Sequence, residues 1–140
     1  MKILLPVDGS DYTKRMLSYI AAHDEILGRR HQYLLFTAVV PIPAHAARFL
    51  DRQTLDMYYL EQAEEVLRPV KRFAEQNGWN FRASHAAGHA ADAIVAFADA
   101  ERPDLIVMGT HGHSALANVI LGSVGNGVLA RCKLPVLLVR

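Results

Sequence analysis

The chain of 140 residues has a single cysteine, Cys132, so an internal disulfide is excluded and a reducing compartment fits. It has no surplus of charge of either sign. Fifteen basic and 14 acidic residues leave a net charge of +1 with no run of like charge, which argues against a nucleic-acid partner. No apolar run approaches the ~18 residues of a membrane helix. The opening Ile3-Leu4-Leu5-Pro6-Val7 is too short for a signal segment and is interrupted by Pro6 and Asp8. Internal repeats, low-complexity tracts and linkers are missing as well. The expectation is one soluble, cytoplasmic domain over residues 1–140, with no membrane partner. Two phosphate-binding motifs are also absent. There is no GxxxxGK[ST], and the first apolar run leads into Asp8-Gly9-Ser10-Asp11, not into GxGxxG.

Hydrophobic residues make up 51% of the chain and charged residues 21%, values of a globular protein with a sizeable core. Strand-like runs alternate with helical patterns. Ile3 to Val7 reads as the first strand. Ser10 or Asp11 can cap a helix with Met16, Ile20 and Leu27 on its apolar face, ending near Gly28. Tyr33 to Val40 is the second strand, stopped by Pro41 and Pro43, which open a loop to about Leu50. Leu60, Ala63, Leu67, Val70 and Ala74 form the buried stripe of a long helix, with a kink or break expected at Pro69. Phe81 to Ala86 alternates as an edge strand should. A helix over Ala90 to Ala100, a strand over Leu105 to Met108, a helix over Val124 to Cys132 and a last strand over Val136 to Val139 complete the chain. This alternation predicts an α/β fold with a parallel sheet covered on both faces.

The segment with the most chemical content is Gly109-Thr110-His111-Gly112, followed after nine residues by Gly122-Ser123. It joins a buried strand to a helix start. Glycines let backbone approach a ligand without a Cβ in the way. A helix start offers free N–H groups and a positive dipole end to an anion. This is chemistry suited to phosphate.

These residues resemble the ATP-binding branch of the universal stress protein family, whose motif is G-x2-G-x9-G-(S/T). Gly109, Gly112, Gly122 and Ser123 match its fixed positions. The opening Ile3-Leu4-Leu5-Pro6-Val7-Asp8-Gly9-Ser10, the segment Asp104 to Gly109 and the closing Pro135 to Val139 are similar to the family's first, fourth and fifth strands. The resemblance spans nearly the whole chain. It implies a Rossmann-like open sheet of five parallel strands in the order 3-2-1-4-5, with a ligand crevice between strands one and four. It implies that Asp8 lies near the ribose or a phosphate-bound metal, with Pro6, Gly9 and Ser10 beside it. It implies that backbone groups of Val39 and Val40 hold adenine. Gly109, Gly112, Gly122, Ser123 and Val124 would surround the phosphates, and Met108 belongs to the same binding set; from the residues themselves, His111 or His113 could donate to a phosphate. ATP, alone or with Mg²⁺, is the implied ligand. No protein metal ligand is assigned, and contact of Asp8 with phosphate through Mg²⁺ stays open. One departure is the pair Gly125 and Gly127 in the first turn of the last helix, where each glycine costs roughly 1 kcal/mol against alanine. That turn is expected to order on nucleotide binding.

The remaining candidates read as structural. His85 and His89 are four apart across Gly88, and His111 and His113 lack a third donor, so neither pair makes a zinc site. Cys132 and Trp79 read as packing residues, and Tyr58 and Tyr59 as cover for apolar surface. The uniformly apolar Val136 to Val139 invites pairing with a second copy at a sheet edge, and the family resemblance implies a homodimer there. The function expected is an ATP-binding stress-response protein, regulatory more than catalytic. No nucleophile–base pair or arginine finger is evident, so ATP hydrolysis would be slow at most. The rivals are a nucleotide-free dimeric interaction module and a flavodoxin-like redox protein on the same fold class.

Overall fold

Strand periodicity places alternate side chains on opposite faces, and the apolar runs use both. In β1 (Lys2–Pro6) and just beyond it, Ile3, Leu5 and Val7 enter one core and Leu4 enters the other. A computed structural model describes residues 1–113 and 120–140 and shows one five-stranded sheet in the order β3-β2-β1-β4-β5. β2 (Gln32–Val39) and β4 (Leu105–Gly109) flank β1, and β3 (Asn80–Ala87) and β5 (Val136–Val139) form the edges. All four pairings are parallel. This is the order and the edge placement of Phe81 to Ala86 that the sequence led us to expect.

α1 (Asp11–Ala22) and α4 (Arg52–Gln76) cover one face. Met16, Leu17 and Ile20 of α1 and Ala63, Leu67, Val70 and Ala74 of α4 are buried there. α5 (Ala90–Glu101) and α6 (Ser123–Arg131) cover the other through Ile94, Ala98 and Val128. Two short helices, α2 (Asp24–Leu27) and α3 (Ala44–Ala47), lie in connections. Trp79 packs as expected, stacked on Tyr33 at 4.7 Å between ring centroids and edge-on to Phe73 at 5.7 Å. Cys132 is half-buried against the second core.

Several boundaries differ from expectation. The first helix stops at His23, whose backbone N–H bonds Ile20 O, and Leu27 reaches the core from the separate α2. Part of the segment between Pro43 and Leu50 winds into α3. Pro69 does not break α4, which runs unbroken from Arg52 to Gln76. Its ring sits on the exposed side, and burial of Leu67, Val70 and Ala74 around it outweighs one missing hydrogen bond. Leu60 shares the helical period of the buried stripe but is 49% exposed, because the buried part of α4 begins only at Ala63. Tyr59 packs at the core edge and accepts a hydrogen bond from Ile42 N at 3.0 Å, whereas Tyr58 is exposed.

At β1 the chain order reverses. β2 and β3 lie to one side of it, and β4 and β5 to the other. The loops after β1 and β4 therefore part and leave a crevice above adjacent strand ends.

Tyr33 supplies a test of this core. Its hydroxyl is buried, donates to the carbonyls of Leu27 and Gly28, and is pushed up to about 12 by burial, with a smaller push from the Asp24 carboxylate. The folded state thus favours the neutral phenol. That stability is complete below pH 10 and is lost as pH rises through 12. Denaturant titrations should show wild type losing up to about 2–3 kcal/mol over that window relative to Tyr33→Phe. Parallel losses in the two proteins would contradict the assignment.

Candidate functional site

Asp8 follows β1 and organises the near wall of the crevice. Its Oδ1 accepts from Ser10 N at 2.9 Å and from Thr13 Oγ1 at 2.8 Å, and Asp8 N donates to Thr13 Oγ1 at 3.1 Å. Ser10 is the N-cap of α1, its hydroxyl accepting from Thr13 N, so the cap and the carboxylate share one turn. Gly9 makes this turn at φ +76°, a conformation that glycine adopts without steric cost. The Asp8 Oδ2 lies against Gly112, where an added Cβ would overlap it. His113 Nε2 donates to the Asp8 carbonyl at 2.7 Å. The acidic turn and the glycine loop are therefore in direct contact across the crevice.

The glycine loop is held at both ends. Thr110 N donates to Val139 O at 3.0 Å, tying it to β5. Gly122 N donates to Thr110 O at 2.8 Å, which joins the two halves of the glycine motif across the intervening residues. Gly109 sits under α1, where a Cβ would lie 2.7 Å from Tyr12 Cβ. The His111 ring packs 5.0 Å from the Tyr12 ring, and its Nδ1 is 3.1 Å from Thr110 Oγ1.

α6 begins one residue earlier than expected, with Gly122, which has no side chain to cap the first turn, as N-cap. Its leading N–H groups have no intrahelical partner and point the positive end of the helix toward the crevice. The two glycines in this turn have packing roles. A Cβ on Gly127 would fall 2.7 Å from Ala91 Cβ of α5, and one on Gly125 would fall 2.5 Å from Leu121 Cδ1. Close approach of α5 and α6 therefore accounts for Gly127, whatever the turn does on binding.

These walls enclose a cavity of about 880 Å³, within the size range of small-molecule sites. Its apolar lining includes Phe36, Ala38, Val40, Ala90, Ile94, Met108 and Leu121. Its polar lining includes Asp8, Thr13, the loop from Gly109 to His113, Gly122, Ser123 and Asn126. Of the expected residues, Pro6, Asp8, Val40, Met108, Gly109, His111, Gly112, His113, Gly122, Ser123 and Val124 all line this space. Gly9, Ser10 and Val39 are not among its lining residues. Gly9 and Ser10 shape the Asp8 turn from behind. Val39 turns its side chain into the opposite core, and its carbonyl accepts from Gly88 N at 3.0 Å.

Ala38, Ala90, Ile94 and Thr13 were not singled out by sequence reasoning. Alternation along β2 could have found Ala38, since residues flanking an inward Val39 must face the other side. Thr13 carried a signal in its position, a hydroxyl in the first turn of a helix five residues after a loop aspartate. Metal-binding geometry is thin. Among the described residues no group of three His, Cys, Asp or Glu side chains converges, and Asp8 Oδ1 already accepts two hydrogen bonds. The donor set does not fit a metal held by the protein itself.

Comparison with known proteins agrees with this architecture. Residues 1–140 match the model of the Universal stress protein family. A universal stress protein of Thermus aquaticus is 36% identical over 138 residues, covering 99% of this chain and 97% of that protein. The solved structure of MJ0577 from Methanocaldococcus jannaschii superposes with a TM-score of 0.80 at 27% identity, covering 99% of this chain and 94% of the other. A universal stress protein solved in complex with cAMP superposes at 0.67 with 26% identity, covering 100% and 96%. Matched along its whole length and folded with the same strand order, the chain belongs to the universal stress protein family.

Proposed function

We propose that this protein binds an adenine nucleotide in the crevice between β1 and β4 and uses it to regulate partners in a stress response. The observation that carries the reading is a single cavity whose lining combines apolar side chains from β2 and α5 with the glycine loop and the start of α6. The base enters between Ala38, Val40, Ala90 and Ile94, and backbone groups at the end of β2 read its edge. The ribose hydroxyls meet Asp8, whose carboxylate is already aimed across the crevice by Ser10 and Thr13. The phosphates lie against Gly109, Gly112 and the start of α6 at Gly122, Ser123 and Val124. The relative bound to cAMP supports an adenylate ligand. ATP fits the same cradle. Mg²⁺ accompanying it would be held by phosphate and water, since the protein offers no convergent donor set among the described residues.

Among the described residues the lining has no Lys or Arg to stabilise a departing phosphate, so hydrolysis is slow at most. In this reading the ligand orders the turn at Ser123 to Gly127, and the protein works in the cytoplasm as a homodimer paired through Val136 to Val139. A second reading, a nucleotide-free interaction module, draws on the exposed apolar residues Val40, Phe49, Leu50, Met57 and Leu60.

Three outcomes test these statements. ATP with Mg²⁺, or AMP, at one hundred times its dissociation constant should stabilise the fold by about 2.7 kcal/mol, read as a rise in Tm. No rise with any adenine nucleotide would favour the interaction module. Ser123→Asp should stabilise the free protein by a few tenths to about 1 kcal/mol, because a carboxylate suits a helix start. The same change should weaken nucleotide binding at least about tenfold through like-charge repulsion. Unchanged affinity would remove phosphate from this helix. Sedimentation equilibrium at micromolar concentration should return the dimer mass, and a monomer would refute pairing through β5.

A further inference from the structure

The charge inventory of the cavity is short. Among the described residues its ionisable lining side chains are Asp8, His111 and His113. From Gly109 to Asn126 the chain contains no Lys, Arg, Asp or Glu at all. An anionic ligand therefore enters a site whose formal side-chain charge is −1 when both imidazoles are neutral and +1 when both are protonated. Among the described residues, groups from α1 and the turn before it lie near these imidazoles, together with Thr110 Oγ1 at 3.1 Å from His111 Nδ1 and the backbone of Gly122 beside the His111 ring. Asp8 offers its carbonyl to His113. Tyr12 packs on His111, and the Arg15 guanidinium lies over that tyrosine, 5.2 Å from its centroid. Asp11 is exposed, and its carboxyl is held below the usual range first by its hydrogen bond to Lys14, with smaller contributions from Arg15 and His113.

The His113 bond fixes its proton chemistry. A carbonyl oxygen only accepts, so the bond at 2.7 Å requires a proton on Nε2. A second proton is then taken at Nδ1, and the tether to Asp8 survives. The loop can gain positive charge with no loss of the contact that positions it.

We infer that nucleotide binding here is coupled to proton uptake, with His111 and His113 supplying as imidazolium the cationic charge that the phosphate loop otherwise lacks. An imidazole that takes up a proton becomes cationic, so acidification tightens the grip on the phosphate and alkalinisation loosens it. The inference rests on the nucleotide reading above and adds a sensitivity to proton concentration. It is a property of this chain's two loop histidines, set on either side of Gly112.

The test is the affinity for AMP, without divalent metal, measured by calorimetry from pH 8.0 to 5.5, above the range in which ordinary carboxylates titrate. The phosphate monoester loses charge near pH 6, which alone would weaken binding as pH falls. The histidine effect has the opposite sign. Wild type should bind about tenfold more tightly at pH 5.5 than at 8.0, the order expected for two partly exposed ion pairs. The double variant His111→Gln, His113→Gln should lose this trend or reverse it. His113→Arg, with permanent charge, should flatten the profile by tightening binding at pH 8.0, and it serves as an independent arm. A flat wild-type profile, or a wild-type slope kept by the double variant, overturns the proton coupling and leaves the nucleotide site standing. No AMP binding at any pH overturns the site itself.

Discussion

The functional half of the molecule depends on one contact, the Asp8 carboxylate lying against Gly112. Every other feature of the crevice is arranged by it or arranges it. The sheet order brings the ends of β1 and β4 side by side. Thr13 and Ser10 hold one carboxylate oxygen, so the second is aimed across the gap. At Gly112 a side chain would overlap that oxygen and force the two loops apart. The hydrogen bond from Gly122 N to Thr110 O then folds the start of α6 back to the same place. Two loops far apart in sequence become the two walls of a single cavity through close backbone approach, with few charged groups involved.

That economy of charge has consequences for chemistry. A site built from N–H groups, a helix dipole and imidazoles can hold phosphate without driving its transfer. Fixed cations would grip a triphosphate whatever the conditions. The packing glycines serve a different end. Gly109 admits α1 and Gly127 admits α5, so the glycines around this site combine ligand access with close packing of helices.

Most of the fold was legible because its signals are local. The apolar runs of β1, β2 and β4 allow few places other than a buried sheet, and the G-x2-G-x9-G-S spacing with its strand before and helix after marked a loop that lines the cavity. The misreadings share a cause, which is that a local pattern says nothing of where neighbouring elements end. Leu60 has the right period, yet the sheet does not extend beneath it. Pro69 has the wrong chemistry for a helix interior, yet burial on the other side of α4 carries the helix through. Leu27 keeps phase with Ile20 although the helix between them is interrupted at His23. In the site, the resemblance put backbone groups of Val39 and Val40 at the ligand, and side-chain alternation adds that Ala38 and Val40 line the cavity while Val39 enters the opposite core.

The central claim is that phosphate sits between the glycine loop and the first turn of α6, opposite Asp8. Amide nuclear magnetic resonance during titration with AMP tests it most directly, because glycine N–H signals resolve well and report the backbone itself. The account requires the largest shifts at Gly109, Gly112, Gly122, Ser123 and Val124, with Asp8 moving in step. Saturating shifts confined to another face of the sheet, with these amides unmoved, would contradict it.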